Sequence, residues 1–378
     1  IIPTPFDPRL IWYIPPFVAE AAMRTGVARK PIEDMESYRA ELRGRLDPSA
    51  GFLQSINAAV LSRPKKRVVF AEGEEPSVIR AAYAFQAQGL GQAILCGREN
   101  LVLDGMRAAG IDPQESGIEI VNARLSQRNA EYVDYLYGRL QRKGFLRRDV
   151  QRLVNQDRNS FAAAMVALGH ADGMVTGVTR SFDQALDEVE RVIDPAPGSR
   201  VMGLSILLAK SRTVFIADTT VRELPEPEDL VEIAIGAAAA VRRLGHTPRV
   251  AFLSYSAFGN PPGERGERVR KAVALLDSRG GADFEYEGEM PPDVALDPAL
   301  WANYPFQRLT GPANVLVMPA IHSASIATKL VQALDAATVV GPVLLGLNRP
   351  VQICQLSDPV TRILTMATFA AYDVRAQG

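Results

Sequence analysis

Cysteine is nearly absent, with Cys96 and Cys354 the only two in 378 residues. A disulfide framework is thereby excluded, and a reducing, cytoplasmic compartment is the expectation. Histidine is almost as scarce. His170, His246 and His322 stand far apart with no Cys or carboxylate at metal-ligand spacing, which speaks against a zinc site. An excess of one charge is also missing, since 42 Lys+Arg face 43 Asp+Glu and leave a net charge of −1. No global field then draws the chain to nucleic acid or to an anionic membrane. The apolar runs Phe161–Leu168 and Ala237–Val241 fall far short of the ~20 residues of a membrane span. The opening Ile1-Ile2-Pro3-Thr4-Pro5-Phe6 has neither an initiator Met nor the n-region of a secretory signal, so the chain reads as a fragment of a larger protein. What is present is 47% apolar and 22% charged residues, enough for a sizeable core spread over two or three compact units.

The hydrophobic pattern divides the chain into three. Residues 1–45 form a short helical segment. Pro15-Pro16 predicts a helix start carrying Phe17, Val18, Ala21 and Ala22 on one face, Gly26 its C-terminal cap, and Met35 to Leu46 a second helix. Residues 46–64 read as a polar linker with a small helix. From Arg67 onward, strand-like runs (Val68–Phe70, Ala93–Gly97, Ile118–Val121, Gly173–Thr176, Thr213–Ala217, Val250–Ser254, Val315–Met318) alternate with helical patterns. That alternation predicts an α/β fold with parallel sheets covered by helices on both faces.

In such a fold, ligands bind where strands enter helices through loops. Four junctions are candidates. After Gly173–Thr176 come Gly177, Thr179, Arg180 and Ser181, whose backbone N–H groups and guanidinium suit a phosphate or carboxylate; an ordinary β–α turn has the same composition. After Phe252 and Leu253 come Ser254, Ser256 and Phe258, then a loop with Gly259, Gly263 and Gly266, which reads either as a close-approach ligand loop or as a flexible surface loop. The third junction, Met318 to Ile326, carries His322 and Ser323 ahead of Lys329, with a purely structural histidine as the alternative. The fourth, Gly341-Pro342 to Gln352, leads through Ser357-Asp358-Pro359 into a well-capped final helix. Seven Lys/Arg between Arg139 and Arg158 face only Asp149 and Asp157, and form either a solvated helix face or an attractor for an anionic cofactor. No Ser–His–Asp order, no paired catalytic carboxylates and no dinucleotide fingerprint is present; Gly89-Leu90-Gly91 follows a helix instead of a strand.

Several of these runs occur together in a known family. Val69 to Glu74, Ala171 to Gly177, Leu253 to Ser256, Gly288 to Met290 with Asp293, Lys329 to Gln332, and Gly341-Pro342 with Gly346-Leu347-Asn348-Arg349-Pro350 resemble the phosphate acetyltransferase family over about residues 65–378. The resemblance implies two three-layer α/β/α subdomains with an acyl-CoA cleft between them, paired as a dimer. The first subdomain would take about residues 65–198 and 341–378, the second about 199–340. Ile2 to Leu10, Val18 to Met23 and Gly26 to Ala28 resemble the end of a malic enzyme catalytic region, and the combination resembles the bacterial hybrid-type malic enzymes. The NADP, Mg or Mn and malate sites of that family would belong to a region outside this chain.

One departure matters for function. Active phosphotransacetylases carry a Ser-Arg pair and an Asp at positions that align here with Gln355, Leu356 and Arg362. A cation cannot take the proton from a CoA thiol, and general-base catalysis contributes ~10²–10⁴-fold. The expectation is therefore a non-catalytic regulatory domain that binds acetyl-CoA or CoA, with inhibition of malate decarboxylation implied by the resemblance. Its expected contacts are Thr176, Arg180, Ser254, Ser256, Phe258, His322, Ser323, Lys329, Gly346 and Asn348. Its expected partners are a second copy, higher homo-oligomers, and the malic enzyme domain of the same chain. Two alternatives stand beside it: an active acyltransferase using residues such as His322 and Ser254, or a purely structural oligomerisation module.

Overall fold

The computed structural model describes residues 10–32, 34–36, 38, 39, 42, 48–210 and 212–374. Two sheets organise them. The first has the order β11-β4-β1-β2-β3, made of β1 (Lys66–Phe70), β2 (Gly91–Cys96), β3 (Glu119–Val121), β4 (Gly173–Thr176) and β11 (Val351–Ile353), all parallel. The second has the order β10-β5-β6-β9-β7-β8, made of β5 (Met202–Ala209), β6 (Arg212–Ala217), β7 (Arg249–Leu253), β8 (Glu285–Met290), β9 (Val315–Val317) and β10 (Thr338–Leu345). Its members β6, β9, β7 and β8 are parallel, and β5 and β10 add an antiparallel margin. Lys210 and Ser211 are the only residues between β5 and β6, too few for a crossover, so these strands pair as a hairpin.

Helices cover both faces of both sheets. One continuous core joins them, running from Phe70 and Phe85 through Met366 and Phe369 to Met202, Phe215 and Phe252. Phe70 and Phe85 meet edge to face, 5.9 Å between centroids and 68° between planes, with both side chains withdrawn from water. Separate cores fill the outer face of each sheet, around Tyr132 and Phe161 in the first and Leu316 and Met290 in the second. The final helix, Val360–Tyr372, is the keystone: its Tyr372 hydroxyl donates to the Arg243 carbonyl (2.6 Å) at the end of helix Pro227–Arg243, which packs on the second sheet.

Three boundaries differ from expectation. Residues 46–64 are not a linker. Helix Pro48–Leu61 buries Phe52, Ile56 and Val60 in the joint core, and Arg63 donates to the Tyr372 carbonyl (2.9 Å). The chain re-enters the first sheet after Leu345 rather than about residue 341, because Val343–Leu345 still pair with Met202–Leu204 of β5. The first helix runs Leu10–Arg24 with Pro15 and Pro16 inside it. The two missing N–H groups deprive only the carbonyls of Ile11 and Trp12, close enough to the start for the following turns to carry the helix. Gly26 caps it at φ 73°, as expected, while Phe17 and Val18 stay exposed. Of the expected second helix, Met35, Glu36, Tyr38, Arg39 and Leu42 are helical; its other residues and the run Ile2 to Arg9 lie outside the described residues.

Glu74, just beyond β1, carries a pH prediction. Burial pushes its pKa up, but hydrogen bonds from the Arg98 side chain and backbone and the charge of Arg158 outweigh this, holding it below its ordinary 4.5. A carboxyl with a depressed folded-state pKa adds stability above its unfolded pKa and loses it as pH falls through the folded one. Unfolding free energy should therefore fall less steeply between about pH 5 and pH 3 in Glu74→Gln than in the parent. Parallel curves in urea titrations at each pH would contradict this.

Candidate functional site

The first sheet reverses its strand order between β1 and β4, because β2 and β3 add on one side of β1 and β4 on the other. That switch point is the expected anion site. It is filled from within. The Glu72 carboxylate, from the residue pair following β1, accepts the Val178 N–H (2.7 Å), the Thr179 N–H (2.9 Å) and the Thr179 hydroxyl (2.5 Å). Arg180 turns away to pair with Asp157 (2.7 Å) and Glu188 (2.5 Å). Glu188 accepts from Asn159 (2.7 Å), whose amide oxygen accepts from the buried Thr176 hydroxyl (2.5 Å). Thr176 and Arg180 thus take part in an internal network, Thr176 through the Asn159 amide and Arg180 through two carboxylates of neighbouring helices.

Two cavities take in most of the remaining residues, one between the sheets and one at the end of the second sheet. The first, about 350 Å³, is bounded by Gly341 and Pro342 of β10, by Gln355, Asp358 and Arg362 leading into the final helix, and by Gln332 and Asp335. It holds two of the three positions singled out by the resemblance. Asp358 accepts the Gln355 N–H (2.8 Å) and pairs with Arg362 (3.4 Å), so a cation and its partner stand at the wall. Leu356 points outward and is 63% exposed. Cys354 behind them is fully buried, and burial first, then Asp358, holds its thiol well above the usual range.

The second cavity, about 320 Å³, opens at the carboxyl ends of β7 and β9 and is lined by Ser254, Tyr255, His322 and Ser323 together with Arg265 and Arg268. Its hydroxyls have a fixed direction. The Ser256 hydroxyl donates to Glu289 (2.9 Å), which also accepts the Gly259 N–H (2.7 Å). Ser254, 3.1 Å from Ser256, therefore donates to it, and its oxygen accepts the Ser256 N–H (3.4 Å). Helix Ile321–Ala333 runs between the cavities. Its first turn brings His322 and Ser323 to one and its end brings Gln332 to the other, about 15 Å apart at 1.5 Å per residue. Ile326, Leu330 and Leu334 continue the i, i+4 row from His322 as an exposed apolar stripe, with Lys329 exposed beside it.

The expected contact set is thus divided. Ser254, His322 and Ser323 share a cavity, and Ser256 stands behind them. Phe258 packs on Tyr304 and Phe306 instead, with centroids 5.3 and 4.8 Å away. Gly346 and Asn348 line a separate groove with Ala196 to Arg200. Arg268 and Asp335 were not singled out, since nothing in their local sequence separates them from ordinary helix polar residues, and Gln332 and Asp358 were named only within a family motif and a helix cap.

Residues 51–371 match the family described as phosphate acetyl/butaryl transferase. The chain belongs to that family. Among curated relatives, an NADP-dependent malic enzyme of Rhizobium meliloti (strain 1021) is 57% identical over 373 residues, covering 99% of this chain and 49% of its own length. A phosphate acetyltransferase of Synechocystis is 28% identical across 91% of this chain and 49% of its own length. The chain therefore spans about half the length of these relatives. The crystal structure of a phosphotransacetylase from Streptococcus pyogenes superposes with a TM-score of 0.80 at 26% identity, over 86% of this chain and 98% of that one. The match to the malic enzyme takes in nearly all of the chain, whereas the family model begins at residue 51.

Proposed function

We propose that this chain is the regulatory half of an NADP-dependent malic enzyme, a phosphotransacetylase-like domain that binds acetyl-CoA without turning it over. The observation that carries the reading is the Arg362–Asp358 pair at the wall of the cleft cavity, beside Gln355. A guanidinium there cannot accept a thiol proton, and the Asp358 carboxylate already accepts from Gln355 N–H and Arg362. Elsewhere the cleft keeps what a ligand needs. Arg265, Arg268 and the N-terminus of helix Ile321–Ala333 suit a phosphorylated head group, and the same helix carries the exposed apolar stripe from Ile326 to Leu334 and ends with Gln332 at the cavity beside Gln355. An elongated thioester carrier fits that layout.

Nicotinamide and metal chemistry do not fit these residues. Among the described residues no three His, Cys, Asp or Glu gather as metal ligands, and the sequence has no dinucleotide fingerprint. Those sites would belong to the remainder of the protein, with which this domain would communicate in a homo-oligomer. One observation favours residual transfer as the second reading: Asp335 lines the cleft cavity as well.

Calorimetric titration with acetyl-CoA is expected to give saturable heat, while a thiol assay after adding phosphate shows no CoA release. Absence of heat at millimolar ligand overturns the binding; acetyl phosphate formation overturns the loss of chemistry and points to Asp335. In the full-length protein, a coupling of 1–3 kcal/mol would lower malate turnover ~5–150-fold when acetyl-CoA is present. Unchanged malate kinetics would refute the regulatory half.

A further inference from the structure

The carboxyl ends of β1, β2 and β3 surround a cavity of about 630 Å³ that shares no lining residue with either cleft cavity. Three guanidiniums line it: Arg98, Arg124 and Arg158. Glu74 fixes two of them. Its Oε1 accepts the Arg98 N–H and Nε–H (2.8 and 3.1 Å), and its Oε2 accepts Arg98 Nη2 and Arg158 Nη2 (2.9 and 2.8 Å). Both carboxylate oxygens are thereby spent, while Arg98 keeps Nη1 and Arg158 keeps Nε and Nη1 for another acceptor. Arg124 is exposed, and among the described residues no hydrogen bond or ion pair engages its guanidinium. Three cations against one carboxylate leave an excess of positive charge facing the space.

The remaining polar lining consists of amides. Asn122 Oδ1 accepts the Arg124 N–H (3.0 Å) and Asn155 Oδ1 accepts from Asn129 (2.9 Å), which leaves the NH₂ groups of both as donors; Asn100 and Gln156 stand beside them. No aromatic ring lines the cavity, so no flat platform for a nucleobase is present. The volume lies within the ~300–1,000 Å³ of small-molecule sites and exceeds what a bare phosphate ion fills.

We infer that this cavity binds a small sugar phosphate, its dianion held between Arg98, Arg158 and Arg124 and its hydroxyls against the amide donors. The site is independent of acetyl-CoA binding in the cleft. Calorimetric titration of the chain with glucose 6-phosphate, inorganic phosphate and AMP tests it, with Arg124→Ala as the variant because its guanidinium holds nothing in the fold. Glucose 6-phosphate is expected to bind more tightly than the other two, and Arg124→Ala to weaken it roughly five- to tenfold with an unchanged unfolding midpoint. Arg124→Lys should recover part of that loss, and added salt should weaken binding. No saturable heat with glucose 6-phosphate, affinity no better than for inorganic phosphate or AMP, or equal binding by parent and Arg124→Ala would each overturn the inference.

Discussion

Glu72→Ala is expected to destabilise the fold by about 2–4 kcal/mol, a large part of the 5–15 kcal/mol that holds a typical domain together. The carboxylate is buried and accepts three hydrogen bonds, two from backbone N–H groups of the loop after β4. Alanine leaves the buried Val178 N–H without a partner, at about 1–3 kcal/mol, while the donors of the exposed Thr179 lose a charged acceptor and turn to water. Thr179→Val removes the hydroxyl bond alone and should cost only about 1 kcal/mol. Urea unfolding checks both, read as a lowered midpoint at constant slope. A loss under about 1 kcal/mol for Glu72→Ala would mean that the loop is held by something other than this carboxylate. The same variant frees the amides that the loop's composition offers to an anion, so it should also gain weak phosphate affinity that the parent lacks at this point.

Gly346→Ala is expected to cost at least about 3 kcal/mol, for two separable reasons. The residue has φ 89°, where a side chain costs roughly 1–2 kcal/mol. A Cβ there would also overlap the Arg200 carbonyl oxygen and come within 2.5 Å of its carbon. Backbone atoms cannot swing aside as a flexible side-chain tip can. Gly281→Ala isolates the first contribution, since φ is 74° and nothing lies within 4 Å of the added atom. Thermal unfolding of the pair should show a small loss at 281 and a much larger one at 346. Equal losses would remove the close approach from the explanation. Because Gly346 stands where the chain leaves β10 for β11, its loss should weaken the joint between the sheets as well as the local turn.

The alternation of short apolar runs and helical patterns made β1, β2, β3, β4, β6, β7 and β9 legible, because each is apolar enough to be recognised without its neighbours. β8 was not. Its Glu285-Tyr286-Glu287-Gly288-Glu289-Met290 puts three acids on one side, a pattern that reads as solvent-exposed. Each acid has a partner that only folding supplies: Thr310 for Glu285, Arg308 for Glu287, and Ser256 with the Gly259 N–H for Glu289. β5 and β10 escaped notice for a related reason, since antiparallel pairing at a margin leaves no βαβ signature to read.

The same distinction separates the site residues. That Ser254, His322 and Ser323 line one cavity was legible because they sit at strand-to-helix junctions, and topology alone brings such junctions to one edge of a sheet. The chemical identity of Gln355, Leu356 and Arg362 was also legible in the sequence, because a side chain's charge does not depend on its neighbours' positions. Whether a polar residue is free to meet a ligand does depend on them. Thr176 and Arg180 look identical to ligand contacts until Asn159, Asp157 and Glu188, on the two neighbouring helices, are seen to take up their bonds. Composition and order determined which groups this protein owns and which strand ends carry them. Only the tertiary structure decided which of those groups were already spent on one another, since hydrogen bonds and ion pairs saturate and the nearest partner in space takes them first.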